Sequence, residues 1–202
     1  MIETATSVCS VALLEDGAVV ARAHEDVGRG HAERLLPMIA ALPAGGRADS
    51  ILVDCGPGSF TGIRVGVAAA RGLGFGWGVA VNGYSSLSLL AAGQYDKHPE
   101  HAVTVAINAG HGEVFIQSFA ANPLRSCSEL ASMVPDAAAE ISEAIVIGNA
   151  AEILIGLKGG GVAIDRPFDA CDALYLPPGL ATLPAVPIYG RGADAKPMAV
   201  RP

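Results

Sequence analysis

The sequence predicts an α/β fold made of two lobes of the same order, β-β-β-α-β-α-β, spanning residues 1–98 and 99–202. Three observations predict it. The chain is 51% apolar but only 5% aromatic, so Ala, Gly, Val and Leu must fill the interior. That suits helices laid on sheets better than an aromatic-rich sandwich. Strand-like apolar runs alternate with longer helix-like ones. A tight hairpin opens each half, first at Asp16-Gly17 and again at Ala109-Gly110-His111-Gly112.

Met1 to Thr4 reads as the tail of a first strand, short for a sheet centre, as though the start were truncated or misassigned. CSVALLE (9–15) and AVVARAH (18–24) form the first hairpin, because Asp-Gly supplies both positive-φ residues of its turn. HAERLLPMIAAL (31–42) places Leu35, Ile39 and Leu42 on one helix face, and Pro37 should bend it. SILVD (50–54) is a buried strand, 61–76 a helix, GVAVNG (78–83) a strand, and SSLSLLAAG (85–93) a helix opened by a capping serine. HAVTVAIN (101–108) and EVFIQSF (113–119) make the second hairpin, with a weak strand near 123–128. PDAAAEIS (135–142), AIVIG (144–148), AAEILIGLK (150–158) and GVAID (161–165) then alternate helix and strand. The lobes join in polar QYDKHPEH (94–101), and the Pro-rich C-terminus should wrap the surface, disordered at its end. Two stacked lobes of this kind point to a ribonuclease-H-like, actin-like duplication.

The formal charge of −7, with no basic stripe, argues against autonomous binding to nucleic acid. Cys9, Cys55, Cys127 and Cys171 form no CxxC pair, so a zinc site is not expected; free thiols suit a reducing cytoplasm. MIETATS is no signal peptide. The most apolar window, 62–81, carries Arg64 and Arg71 and should not span a membrane. HExxH is absent, His98 and His101 flank Pro99 in a solvated loop, and His31 reads as a capping or surface residue, so no peptidase centre can be named. Among Asp49, Asp54, Asp165, Asp169 and Asp172, only Asp54 ends a strand beside a glycine loop, where α/β ligands bind. It is either a residual ligand contact or a strand-end acid meeting backbone N–H groups.

That loop, GPGSFTGIRVG (56–66), looks like a phosphate cradle. It lacks the lysine of a Walker loop, the Gly-x-Ser-x-Gly of a nucleophile elbow, and the spacing of a dinucleotide fingerprint, whose acid would be Asn82. A structural reading remains. Gly56-Pro57-Gly58 turns the chain, Ser59 or Thr61 caps a helix, and Gly62, Gly66, Ala70 and Gly74 form a smooth stripe along it. Each interior glycine costs about 1 kcal/mol against alanine, so close approach to a neighbour must offset roughly 3 kcal/mol. The neighbour lies either inside the lobe or across a subunit interface.

GPGSFTGIRVGVAAARGLGFGWGVAVNGYSSLSLLA (56–91), with ETATSVCSVALLEDG (3–17) and HAERLLPMI (31–39), resembles the TsaB (YeaZ) family of tRNA threonylcarbamoyladenosine synthesis. GEVF (112–115) and PIYGR (187–191) are weaker echoes. The resemblance implies an actin-like two-lobed fold and a cytoplasmic, non-catalytic partner of the transferase TsaD, working with the ATPase TsaE. It implies no catalytic or metal residues and no cofactor of its own, with a nucleotide possible only at the partner interface. It also implies a homodimer in isolation, and tRNA contact only through the complex. The helices at 31–42 and 61–76 would form the contact, and we expect Leu35, Arg64, Val67, Ala70, Arg71 and Gly74 in it. Older labels of this family are glycoprotease-like. Glu3 stands where an Asp is usual, Asn108 replaces the Asp of an Asp-Ala-Arg segment, and Gly110 and His111 replace its basic residues. A second reading makes the chain an enzyme whose loop, Gly56, Gly58, Ser59, Thr61 and Gly62 beside Asp54, holds a nucleotide.

Overall fold

The computed structural model describes residues 1–95 and 100–190. His98 and Pro99 of the HPEH segment, the expected lobe boundary, Arg191 of PIYGR and the end of the tail lie outside the described residues. The first lobe runs β1 (Ile2–Glu3), β2 (Val8–Glu15), β3 (Ala18–Asp26), α1 (His31–Ala40), β4 (Ser50–Asp54), α2 (Phe60–Trp77), β5 (Ala80–Tyr84) and α3 (Ser86–Tyr95). The second runs β6 (Val103–Gly110), β7 (Glu113–Ala120), β8 (Arg125–Ser126), β9 (Ala131–Met133), α4 (Pro135–Ile141), β10 (Ile145–Ile147), α5 (Ala151–Lys158) and β11 (Val162–Ile164). A last strand, β12 (Leu183–Pro184), follows two 3₁₀ turns.

Two sheets result, in the orders β12-β5-β4-β1-β2-β3 and β11-β10-β6-β7-β8, with β9 also on β7. The core of each is the same: two antiparallel pairs on one side of the central strand and two parallel pairs on the other. This is the duplicated actin-like α/β architecture the sequence implies. Asp16 and Gly17 take φ of 49° and 74° in the first hairpin turn, as the Asp-Gly signal requires.

The layers follow from where apolar side chains point. α1 and α2 cover one face of the first sheet through Leu35, Met38, Ile39, Ile63, Val67 and Ala70. α4 and α5 cover the far face of the second through Ala138, Ala139, Ala151 and Leu154. α3 lies between the lobes. Ser86 to Gln94 are all buried, and Leu87, Leu89 and Leu90 pack with Val103, Val105, Phe115 and Phe119. A helix apolar all round must be enclosed on all sides, and α3 is.

Three expectations change. The weak strand near 123–128 shrinks to Arg125–Ser126, and Ala131–Met133 adds a third partner for β7, beside β6 and β8. The tail does not merely wrap the surface: Leu183–Pro184 pairs with Asn82–Gly83 at the sheet edge. His31 is buried, with its Nε2 3.1 Å from the Val8 carbonyl oxygen, so it ties α1 to β2.

Candidate functional site

The glycine loop joins β4 to α2 at the C-terminal edge of the parallel strands. The backbone N–H groups of Gly56, Ser59 and Gly62 are committed within the fold. Asp54 Oδ1 accepts from Gly56 N at 2.6 Å and from Ser86 Oγ at 2.7 Å. Ser59 N donates to the Ala5 carbonyl at 2.6 Å, and Gly62 N to the Ser59 side chain at 3.2 Å. Ser59, not exposed Thr61, is therefore the cap of α2. A phosphate cradle presents free N–H groups; here those of Gly56, Ser59 and Gly62 are spent within the fold.

The glycines serve close approach. A Cβ on Gly58 would fall within 3.0 Å of the Ala5 carbonyl oxygen, and one on Gly62 would do the same to that of Thr4. Gly66 seats against the Thr4 side chain and Gly74 against Val81. Thr4 Oγ1 donates to the Gly62 carbonyl at 2.8 Å, locking the contact. The smooth stripe thus meets a neighbour inside its own lobe.

That settles where the six expected contact residues lie. Leu35, Val67, Ala70 and Gly74 are buried by this chain's own sheet and helices, the first three to between 0 and 4% exposure, and offer no surface to a partner. The small residues turn inward because only they let α2 approach the sheet. Arg64 and Arg71 are exposed, on the opposite face, with Ala68 and Phe75. Phe75 is 93% exposed, and Leu36 of α1 is 51% exposed. Sequence reasoning missed both. The signal was present: Arg64, Ala68, Arg71 and Phe75 recur at helical spacing opposite the glycines.

The outer side of the loop is covered by the C-terminal segment. Ile188 N donates to the Cys55 carbonyl at 2.7 Å, and the Ile188 carbonyl oxygen lies 2.9 Å from where a Cβ on Gly56 would stand. The Arg64 guanidinium stacks 3.5 Å above the Phe60 ring and donates through Nε to Tyr189 Oη at 3.0 Å.

Beneath the loop lies a pair of buried acids, Glu3 and Asp54, both fully enclosed. Glu3 Oε1 accepts from Ala5 N at 2.6 Å. The second oxygen of each, Glu3 Oε2 and Asp54 Oδ2, has no partner among the described residues. Burial raises the Asp54 pKa to about 7 despite its two hydrogen bonds, and raises that of Glu3 well above the usual carboxylate range, with the Asp54 charge adding to the effect. Asp54 therefore does meet a backbone N–H as a strand-end acid, and its charge bears on the other buried acid, Glu3.

Between the lobes a polar cleft of about 450 Å³ is lined by Thr6, Ser7, Arg29, Ser59, Asn108 and Asn149, among others. Its amides close on themselves: Asn149 Oδ1 accepts from Asn108 N, and Asn108 Oδ1 from Gly110 N. No cluster of three metal-ligating side chains occurs among the described residues, and no helix there is long and apolar enough to cross a membrane.

A family model described as tRNA N6-adenosine threonylcarbamoyltransferase, TsaD, matches residues 22–189. The tRNA threonylcarbamoyladenosine biosynthesis protein TsaB of Escherichia coli is 40% identical over 119 residues, 56% of this chain and 51% of that one. The solved YeaZ of Pseudomonas aeruginosa superposes with a TM-score of 0.79 at 29% identity, covering 93% of this chain and 97% of that one. The chain belongs to the TsaB (YeaZ) family. An uncharacterized protein of Mycobacterium tuberculosis is 31% identical over 181 residues, 85% of this chain and 80% of that one. The chain matches about half the length of the first curated relatives, 51% and 55%. A second Pseudomonas aeruginosa structure, described as similar to peptidase YEAZ, gives a TM-score of 0.81 at 30% identity.

Proposed function

We propose that this chain is a cytoplasmic, non-catalytic subunit of the machinery that makes N6-threonylcarbamoyladenosine at position 37 of tRNA. It pairs with a TsaD-type transferase and works beside a TsaE-type ATPase. The names of the curated relatives support the pathway. The N–H groups of Gly56, Ser59 and Gly62, bonded within the fold, support a role without a nucleotide of its own. The net charge of −7 supports tRNA contact only through the partner.

The observation that carries the partner role is Phe75, 93% exposed on a helix whose opposite face is locked into the sheet. Arg64, Ala68 and Arg71 are exposed on the same face of α2, and Leu36 is exposed on α1. Exposed aromatic and arginine residues of this kind anchor protein contacts. The same surface closes a homodimer when the transferase is absent, and any nucleotide of the complex sits at the shared boundary. Sedimentation of the chain with a TsaD-type transferase tests the contact. Phe75→Asp weakens association at least tenfold and leaves the melting temperature of the isolated chain unchanged. Unaltered association would remove this surface from the interface.

A further inference from the structure

Three arginines among the described residues are tied to carboxylates of this chain: Arg22 to Asp169, Arg34 to Glu25 and Arg166 to Asp172. Arg64 is held too, but by groups that leave its charge unpaired. Its guanidinium lies 3.5 Å above the centre of the Phe60 ring, one turn back on α2, and 5.6 Å from the centre of the Tyr189 ring. The two rings stand 5.5 Å apart. Tyr189 Oη accepts from Arg64 Nε at 3.0 Å, and the terminal nitrogens Nη1 and Nη2 have no partner among the described residues. Tyr189 is itself fixed on both sides. Leu183–Pro184 pairs with β5, Ile188 N donates to the Cys55 carbonyl, and Gly190 seats against the Phe115 ring of β7. Phe60 and Tyr189 are 54% and 51% exposed, so the clamp stands at the surface.

We propose that Arg64 is a preformed receptor for a carboxylate of the partner protein, and that Tyr189 is the positioning residue that aims it. The inference rests on the partner role proposed above. A guanidinium gripped at Nε keeps its end-on edge, Nη1 and Nη2, for two parallel bonds to one carboxylate. The Phe60 ring sets the plane of that fork, and the Tyr189 hydroxyl sets its rotation within the plane. The side chain is thus ordered before contact, and binding does not have to order it. Arg64 shares its exposed face of α2 with Ala68 and Arg71, so a carboxylate that reaches it belongs to a chain docked on that helix. A phosphate would also fit the fork. The net charge of −7 repels a polyanion such as RNA far more than it repels one acidic side chain on a protein surface, and so favours the carboxylate. The C-terminal segment acquires a function on this reading: it carries Tyr189 from the sheet edge to the partner-facing helix.

Sedimentation with a TsaD-type transferase, in the absence of tRNA, tests this on the parent chain, Arg64→Ala, Arg64→Lys, Tyr189→Phe and the Arg64→Ala/Tyr189→Phe double variant. Arg64→Ala weakens association at least tenfold. Arg64→Lys keeps the charge without the fork and weakens it nearly as much. Tyr189→Phe weakens it roughly threefold to tenfold in the parent chain and has no further effect in the Arg64→Ala chain, because it acts through Arg64. Neutralising the acidic residues of the transferase's contact surface one at a time finds one whose effect also vanishes with Arg64→Ala. Lysine working as well as arginine would overturn the proposal. So would a Tyr189→Phe loss of equal size in both backgrounds, which would mark the strap as structural only. A loss that appears only once tRNA is added would assign the fork to a phosphate and overturn it too. Association that ignores all these variants but is lost with Phe75→Asp would defeat this inference alone, whereas no association by the parent chain would defeat the partner role and this inference with it.

Discussion

Replacing Gly62 with alanine adds one methyl group where the fold leaves no room for it. The new Cβ would come within 3.0 Å of the Thr4 carbonyl oxygen, a backbone atom that cannot swing aside. Either α2 lifts from the sheet or the segment after β1 shifts. Overpacking of this kind costs typically 1–3 kcal/mol. The shift also strains the Thr4 Oγ1 bond to the Gly62 carbonyl, whose loss costs about 1 kcal/mol. Alanine returns about 1 kcal/mol of helix propensity. The net expectation is a loss of about 2 kcal/mol, which for a chain of this size lowers the melting temperature by about 4–8 °C. Gly156→Ala in α5 is the matched control. A Cβ there meets nothing within 4 Å, so the propensity gain acts alone and the melting temperature rises by about 2–4 °C. Thermal unfolding followed by circular dichroism reads both. A Gly62→Ala chain as stable as the parent would refute the reading that the glycine stripe exists for packing within the lobe.

The buried acid Asp54 makes stability depend on pH with an unusual sign. Its pKa is raised from 3.8 when unfolded to about 7 when folded, so the folded state holds a proton that the unfolded state releases; the stabilisation is full below pH 4 and is lost as pH rises to about 7. Over that window the loss approaches about 4 kcal/mol at most. Urea unfolding at pH 5 and pH 8 measures it, and Asp54→Asn, which keeps the oxygen that Gly56 N and Ser86 use, flattens the slope. Arg64→Ala removes the stack on Phe60 and the bond to Tyr189 and costs about 1 kcal/mol. Limited proteolysis after Tyr189 accelerates in that variant; an unchanged rate would show that the clasp does not hold the segment. Tyr84→Phe removes the bond from Tyr84 Oη to the Ile2 carbonyl, 3.0 Å long and buried, and lowers stability by about 1–3 kcal/mol in urea titration.

The order of strands and helices was legible because period and turn chemistry are local. Asp16-Gly17 marked its hairpin, and Ser59, one of two expected caps, opens α2; Gly78, read as the start of a strand, instead closes α2 in a left-handed cap, and β5 begins at Ala80. What escaped was which face of a helix meets what. Gly62, Gly66, Ala70 and Gly74 were visible as a stripe, but a stripe of small residues fits a sheet below it as well as a partner beside it. Only the positions of Thr4, Ala5 and Val81 decide, and these come from distant parts of the chain. For the same reason Glu3 and Asp54 were read apart, one as a departure from a family pattern and one as a strand-end acid. A parallel pairing of β1 with β4 brings them together. Tyr189 joined Phe60 and Arg64 through a contact across 125 positions of sequence, which no local pattern encodes.

The most direct test of the partner role is a threonylcarbamoyl-transfer assay reconstituted with a TsaD-type transferase, a TsaE-type ATPase and tRNA from the same source, run with and without this chain. The account predicts modified adenosine only when the chain is present, and none when the chain replaces the transferase. Full modification without the chain would contradict it, as would modification by the chain alone.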